Sequence, residues 1–273
     1  MNEALATRRI SEELMARLGT KQQVQPFQQR YPGFDLIASY DVVAQVRDLR
    51  RARGEKPVGR KLGSPIDRYG RPRYGISGPI WNYVLDRTVT YADGHNATIG
   101  LVDMPEPRIE PEIVLHLASD PTPGMAAAEL FECLDWVAPG FEVVYSIFPD
   151  WEFTAADAAA AYGVHGALIV GEKLDITTAR RETRAAISTF GVEMRSDNGR
   201  SCNGHARNVL GGPIGALKFL VEEIARYPNC EPLGAGELVT AGTLTEAMPA
   251  RPGETWSARF EGIELKPLQL HFR

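Results

Sequence analysis

Apolar positions recur with a helical rhythm at the start of this chain and with a strand rhythm through most of the rest. Leu5, Ile10, Leu14 and Leu18 fall near one helical face with Arg and Glu between them, which predicts a surface helix that Gly19 can stop. Ser39 followed by Asp41 resembles an N-cap with an acid in the first turn. Val42, Val43, Val46 and Leu49 then form a stripe, so a second helix is expected over residues 40–53. Pro57 to Ser64 predicts a short strand whose Gly59 and Gly63 favour close approach of another backbone or of a ligand. Residues 64–75, rich in Gly, Pro, Asp and Arg, predict a loop.

Ile80 to Leu85 fits a strand or a short helix equally well. Asp93-Gly94 predicts a hairpin turn between Val89–Tyr91 and Ala97–Ile99, with strand continuing to Leu117. A helix is expected from Ala126 to Leu134, with Pro139 closing off any continuation and the strand of Glu142 following. Ala155 to Ala161 predicts a helix, broken by Gly163 and Gly166 before the apolar run Ala167–Val170. Pro213 opens another helix, with Leu217, Leu220 and Ile224 inward, and strands return at Leu238–Thr240, Thr255–Phe260 and Leu268–Phe272. These elements add up to an α+β fold, an N-terminal helical segment over residues 1–55 and a mixed-sheet domain over residues 56–273.

Composition narrows the function more than the fold. A net charge of −5 over 273 residues argues against a nucleic-acid surface or a polybasic membrane patch, which leaves a small molecule as the expected partner. No apolar run reaches the roughly 18 residues of a membrane span, and the N-terminus lacks the apolar stretch of a secretion signal, so a cytoplasmic protein is expected. Cys133, Cys202 and Cys230 are odd in number and scattered, which points to neither a disulfide frame nor a zinc site.

Three carboxylates carry the candidate chemistry. In a strand, Glu110 and Glu112 of Arg-Ile-Glu-Pro-Glu-Ile share one face, roughly 6.5 Å apart along the chain. Glu142 lies in a second apolar stretch, Pro-Gly-Phe-Glu-Val-Val. Charges in such surroundings must be neutralised by protons, by Lys or Arg, or by a metal, and oxygen-only ligation selects a hard cation, Mg²⁺ or Mn²⁺. A Glu-x-Glu alone is more often solvated or ion-paired; the third Glu shifts the balance.

Read in order, Gly59-Arg60-Lys61-Leu62-Gly63, Arg108-Ile109-Glu110-Pro111-Glu112-Ile113, Glu142-Val143-Val144 with Asp150-Trp151, Val209-Leu210-Gly211-Gly212-Pro213 and Gly236-Glu237-Leu238-Val239-Thr240-Ala241-Gly242 resemble the hydratase/decarboxylase branch of the fumarylacetoacetate hydrolase superfamily. The resemblance runs from about Leu49 to the C-terminus. It implies a barrel-like mixed-sheet core and a closed homo-oligomer. It also implies that Glu110, Glu112 and Glu142 hold Mg²⁺ or Mn²⁺, that Lys61 faces the cation as acid/base or charge clamp, and that the substrate is a 2-oxo or 2-hydroxydienoic acid. A hydratase is the first expectation and a 4-oxalocrotonate-type decarboxylase the second. A C–C bond hydrolase of the same superfamily and a non-catalytic partner subunit are further alternatives.

Around that set, His165 is a candidate proton shuttle, with a satisfied structural histidine as the alternative. Trp81 and Tyr162 are candidate pocket residues, and Thr243 stands where the superfamily often presents Gly-Thr to a substrate carboxylate. Two departures matter. Gly78-Pro79-Ile80-Trp81 replaces a Gln-Pro-Asp-Phe-like sequence of the dienoate hydratases, so Ile80 stands in place of Asp. Likewise Ala160-Ala161-Tyr162-Gly163-Val164-His165-Gly166 stands in place of an Ala-Asp-Asn-Ala-Ser-like stretch, so that Val164 falls where relatives carry a polar residue, and Tyr162 or His165 is expected to substitute.

Overall fold

The computed structural model describes residues 3–63, 78–178 and 180–273; the loop expected over residues 64–75 lies outside them. Its helices are α1 (Glu3–Arg17), α2 (Phe27–Arg30), α3 (Leu36–Ala52), α4 (Ala127–Glu132), α5 (Ala155–Ala160), α6 (Arg180–Ala186) and α7 (Pro213–Ile224). Its strands are β1 (Pro57–Gly63), β2 (Ile80–Leu85), β3 (Val89–Tyr91), β4 (Asn96–Ile99), β5 (Arg108–Leu117), β6 (Leu134–Val144) and β7 (His165–Val170). They continue with β8 (Leu174–Asp175), β9 (Gly191–Ser196), β10 (Ser201–His205), β11 (Leu238–Thr240), β12 (Met248–Pro249), β13 (Thr255–Glu261) and β14 (Leu268–Phe272).

The main sheet runs in the order β2-β1-β11-β5-β6-β7-β3, with β12 on β5 and β8 on β6. A second sheet runs β10-β9-β13-β14-β4. Parallel pairing of β1 with β11 and of β7 with β3 makes the main sheet mixed, as the sequence predicts. Gly59 is what lets β1 and β11 meet: a Cβ there would stand 2.2 Å from the carbonyl oxygen of Leu238. The expected close backbone approach is therefore a β-strand neighbour.

Both faces of the main sheet are apolar, for different reasons. One face packs with α1, α3 and α7 into a large core that includes Ile10, Leu14, Val43, Trp81 and Leu217. The other carries a separate cluster of Val84, Val114, Trp136, Ala138, Leu168, Val170 and Leu238. Alternation along each strand puts Asn82, Lys61, Thr240, Glu110, Glu112 and Glu142 on this second face, at one end of it. Burial on both faces also explains the ambiguity of Ile80–Leu85, whose six residues are all buried and so show no alternation; the segment is strand β2.

Several expectations need correction. The helix expected over 40–53 begins at Leu36, because Asp35 rather than Ser39 caps it by accepting from the backbone N–H of Ala38. Ser39 lies inside and donates to the carbonyl of Leu36. The Asp93-Gly94 turn closes only a single bridge, Asp93 to Asn96, after which β3 and β4 part into different sheets. Strand does not run unbroken to Leu117: a loop over 100–107 precedes β5. Nor does Pro139 close a helix; α4 ends at Glu132 and Pro139 lies within β6. It is tolerated in a central strand because its missing N–H falls where the neighbour changes from β8 to β7, and its carbonyl accepts from Gly171. Pro111 occupies the equivalent gap between β11 and β12 on β5, accepting from Leu244.

Candidate metal centre

Antiparallel register sets Glu110 opposite Glu142 and Glu112 opposite Gly140 across β5 and β6. One oxygen from each of Glu110, Glu112 and Glu142 lies within 4.8 Å of the other two. Glu112 and Glu142 are fully buried and Glu110 is partly exposed, so the cluster opens to solvent on the Glu110 side. Gly140 makes room for it: a Cβ there would press within 2.8 Å of Val114 and 3.5 Å of the Glu112 Cβ.

Lys61 arrives from β1, two strands away from β5, and its Nζ stands 3.3 Å from Glu142 Oε2. The same Nζ donates to the carbonyl of Gly163 at 3.0 Å. That carbonyl is presented by three consecutive left-handed residues, Tyr162, Gly163 and Val164, with φ of 57°, 61° and 57°. Such a conformation costs a residue with a side chain about 1–2 kcal/mol, most of all a β-branched one, and strain of this kind persists where surrounding structure enforces it. Gly163 is further required by space, since a Cβ would lie 2.9 Å from that of Asn82 and 3.2 Å from Lys61 Cδ.

His165 reaches the cluster through a β-bulge. Strict alternation from Leu168, which faces Glu142, would turn Gly166 inward and His165 outward; the register shift between Val143 and Val144 sets His165 opposite Val144 instead. Its Nδ1 lies 2.7 Å from Glu142 Oε1 and, since an ionised carboxylate can only accept, donates to it. Its Nε2 lies 2.9 Å from Thr88 Oγ1. Both ring nitrogens are thus taken by protein atoms.

Charge in the cluster is out of balance. Glu112 is pushed well above the ordinary carboxylate range, first by burial and then by the charges of Glu142 and Glu110, with Lys61 and the Gly242 N–H opposing. Burial also works against ionisation of Glu142, but Lys61 and His165 outweigh it and hold this carboxyl low. For Lys61, burial would lower the ammonium, yet Glu142, Glu110 and Glu112 prevail and raise it. Among the described residues, Glu112 Oε1 accepts no hydrogen bond, and Glu142 Oε2 meets only the Lys61 ammonium, at ion-pair distance. Glu112 Oε2 accepts from the backbone of Gly242 at 2.9 Å. A cluster of oxygen donors with spare lone pairs and an excess of negative charge fits a hard divalent cation.

Glu110, Glu112, Glu142, Lys61 and His165 are brought together; the other three expected site residues are not. Trp81 pairs with Leu62, so its indole lies on the opposite face of the sheet, stacked on Tyr40 at 4.8 Å within the large core. Tyr162 sends its hydroxyl to the carbonyl of Leu14 at the end of α1. Thr243 follows Gly242 but spends its hydroxyl on the carbonyl of Thr245 at 3.2 Å. In each case the residue was well placed along the chain, and alternation or a local turn aimed its side chain elsewhere.

Sequence reasoning missed Asn82, Thr88 and the backbone of Gly163 and Gly242. Asn82 left a signal, as a lone amide in the apolar run Ile80–Leu85; it faces the Lys61 side and donates to the carbonyl of Ala159 at 2.7 Å. Ile80 lies on this same side, and both its Cγ1 and Lys61 Nζ border the space above Gly63, at 3.6 and 3.3 Å from where a Cβ would be. An apolar side chain therefore stands beside the ammonium. Trp151, whose indole N–H donates to the carbonyl of Glu106, lies under the guanidinium of Arg108 at 4.6 Å and steadies the start of β5.

No protein-family model matches the chain. It is 25% identical over 256 residues to 2-hydroxyhexa-2,4-dienoate hydratase of Comamonas testosteroni, covering 92% of each chain. It is 27% identical to 4-oxalocrotonate decarboxylase of Pseudomonas sp. strain CF600, over 85% of this chain and 84% of that one. Among solved structures, the fold matches 4-oxalocrotonate decarboxylase from Pseudomonas putida G7, complexed with magnesium and adipate, with a TM-score of 0.87 and 22% identity across 100% of this chain and 99% of that one. A putative fumarylacetoacetate isomerase/hydrolase from Oleispira antarctica follows at a TM-score of 0.57 and 14% identity, over 79% of this chain and 94% of that one. Over nearly its whole length the chain is thus similar to curated dienoate hydratases and 4-oxalocrotonate decarboxylases, and it shares the fold of the latter and, more distantly, that of a putative fumarylacetoacetate isomerase/hydrolase.

Proposed function

We infer that the protein is a divalent-cation-dependent lyase that adds water to a 2-hydroxy-2,4-dienoate, giving a 4-hydroxy-2-oxo acid in aromatic-compound catabolism. The carrying observation is the convergence of Glu110, Glu112 and Glu142 to within 4.8 Å, with the Lys61 ammonium against Glu142. The hydratase relatives support the substrate class.

Glu110, Glu112 and Glu142 would hold Mg²⁺ or Mn²⁺. Such a cation, when bound, supplies Lewis-acid polarisation of a 2-oxo acid, which stabilises negative charge spreading into the conjugated chain. Lys61 keeps a proton at Nζ, raised by the carboxylates and aimed by Gly163, from which it can be handed to a reacting carbon or oxygen. The buried apolar face behind the cluster keeps bulk water out and strengthens these charges. This reading assigns the chemistry to the segment 56–273, while α1 and α3 of the segment 1–55 pack in the large core on the other face of the main sheet. A cytoplasmic homo-oligomer completes the reading; among the described residues no helix is long and apolar enough to cross a membrane.

A carboxy-lyase acting on a 2-oxo-3-enedioate is the second reading. It is favoured by 29% identity over 204 residues to a Pseudomonas 4-oxalocrotonate decarboxylase and by Ile80, which puts no carboxylate beside Lys61 to assist water. Both readings are tested by following the ultraviolet absorbance of 2-hydroxypenta-2,4-dienoate and of 2-oxohex-3-enedioate with Mg²⁺, with Mn²⁺ and with chelator, alongside CO₂ release. Cation-dependent consumption of the dienoate without CO₂ supports the hydratase. Consumption of the diacid with stoichiometric CO₂ supports the decarboxylase, and no turnover of either overturns the lyase assignment.

A further inference from the structure

His165 does not have the surroundings of a proton shuttle. Its side chain is 2% exposed, and its two ring nitrogens are bound to Glu142 Oε1 at 2.7 Å and Thr88 Oγ1 at 2.9 Å. Neither nitrogen is left for a substrate. Thr88 is itself fixed, because its hydroxyl donates to the carbonyl of Leu85 at 2.8 Å, in the turn that follows β2. The chain of contacts therefore runs from the end of β2, through Thr88 and His165, to Glu142, which also meets Lys61.

Each oxygen of Glu142 then has a different neighbour. Oε1 is held by the imidazole, and Oε2 is turned toward the Lys61 ammonium at 3.3 Å. A Glu side chain has three rotatable bonds, and burying it in one rotamer without a fixed partner is costly. The bulge that brings His165 round to this face needs Gly166, where a Cβ would lie 2.8 Å from the carbonyl of Val143 and 2.9 Å from the ring of Tyr145. We propose that His165, anchored by Thr88, is a positioning residue that locks the Glu142 carboxylate in the orientation in which it takes a divalent cation. The proposal rests on the cation reading above and assigns Thr88, a residue outside the cluster, a part in it.

The test uses Mn²⁺ alone, titrated into the metal-free full chain by calorimetry and by the loss of the free-ion electron paramagnetic resonance signal. Partners of this kind govern about 10- to 100-fold in metal affinity. His165→Leu is expected to weaken Mn²⁺ binding about tenfold or more. His165→Asn, which keeps an N–H near the Nδ1 position, restores part of it. Thr88→Val weakens binding by several-fold, Thr88→Ser returns it to the parent value, and thermal midpoints measured without metal separate these effects from unfolding. With substrate present, KM rises along with the loss of metal affinity while kcat at saturating Mn²⁺ changes little. Equal Mn²⁺ affinity in the parent, His165→Leu and Thr88→Val overturns this inference and leaves the lyase reading standing. A parent that takes up no Mn²⁺ overturns both. A kcat that collapses in His165→Asn at saturating Mn²⁺, with affinity intact, also overturns it, since a proton-transfer role would then be the better account.

Discussion

Glu110 and Glu142 are direct cross-strand partners on the inner face of the main sheet. Like charges so placed destabilise a ladder, and here one of the two is fully buried. Glu112 adds a third carboxylate and is driven toward its protonated form, first by burial and then by the other two charges. The arrangement is expensive without a cation and consistent with one.

Saturating Mg²⁺ or Mn²⁺ is expected to raise the thermal midpoint. At a hundredfold excess over Kd the gain is about 2.7 kcal/mol, or roughly 5–10 °C for a chain of this size. The sign of its pH dependence follows from Glu112. A carboxyl raised in the folded state favours folding at low pH, and that stability is lost as pH climbs from the ordinary carboxylate value through the raised one. Glu142 is lowered, so its contribution is lost only in acid, below the ordinary value. The metal-induced shift is therefore expected to grow as pH rises above the ordinary carboxylate range, which paired thermal melts with and without Mn²⁺ across a pH series will check.

Replacing Lys61 with Met removes the ammonium but leaves all three carboxylates and the Gly242 N–H in place. Mn²⁺ binding should persist while turnover falls by about 10²- to 10⁴-fold, the range of a general acid or base. Turnover within twofold of the parent would make Lys61 a structural ion-pair partner only.

Gly163→Ala tests the strained turn. The new methyl meets Asn82 and Lys61 at a left-handed backbone position, and a loss of about 1–3 kcal/mol in urea denaturation is expected. Activity should fall further than stability accounts for, because the displaced group is the Lys61 stem. A variant with parent stability and activity would show that the turn can relax freely.

Gly59→Ala addresses the fold away from the cluster. A methyl 2.2 Å from the Leu238 carbonyl must separate β1 from β11, the parallel join that ties Lys61 to the carboxylate strands. A loss of more than about 4 kcal/mol, or failure to fold, is expected, and the urea midpoint measures it.

Much of the site was legible in one dimension. Glu110 and Glu112 share a face because a strand alternates, and Glu142 drew attention as a charge among apolar neighbours. The cue failed for Trp81, since a strand buried on both faces gives no sign of which face points inward. It failed for Tyr162 and Thr243 because turns, not alternation, aim their hydroxyls. It failed at Ser39 because Asp35, four residues earlier, offered a carboxylate to the free N–H groups at the start of α3. Pro139 gives no local sign of its place in a strand because the gap between β8 and β7 that accommodates it is a property of the sheet.

By itself the sequence determined the α+β class, most of the strands and helices, the three carboxylates and the hard-cation chemistry that oxygen ligands impose. Those follow from local periodicity and from the chemistry of single side chains. Only the tertiary structure decided that Lys61 meets Glu142, that Gly163 aims it, and that His165 turns inward to Thr88. They depend on register and on a bulge in a sheet that joins residues 77 to 102 positions apart, and register is set by the sum of many weak cross-strand contacts that no short stretch of chain contains.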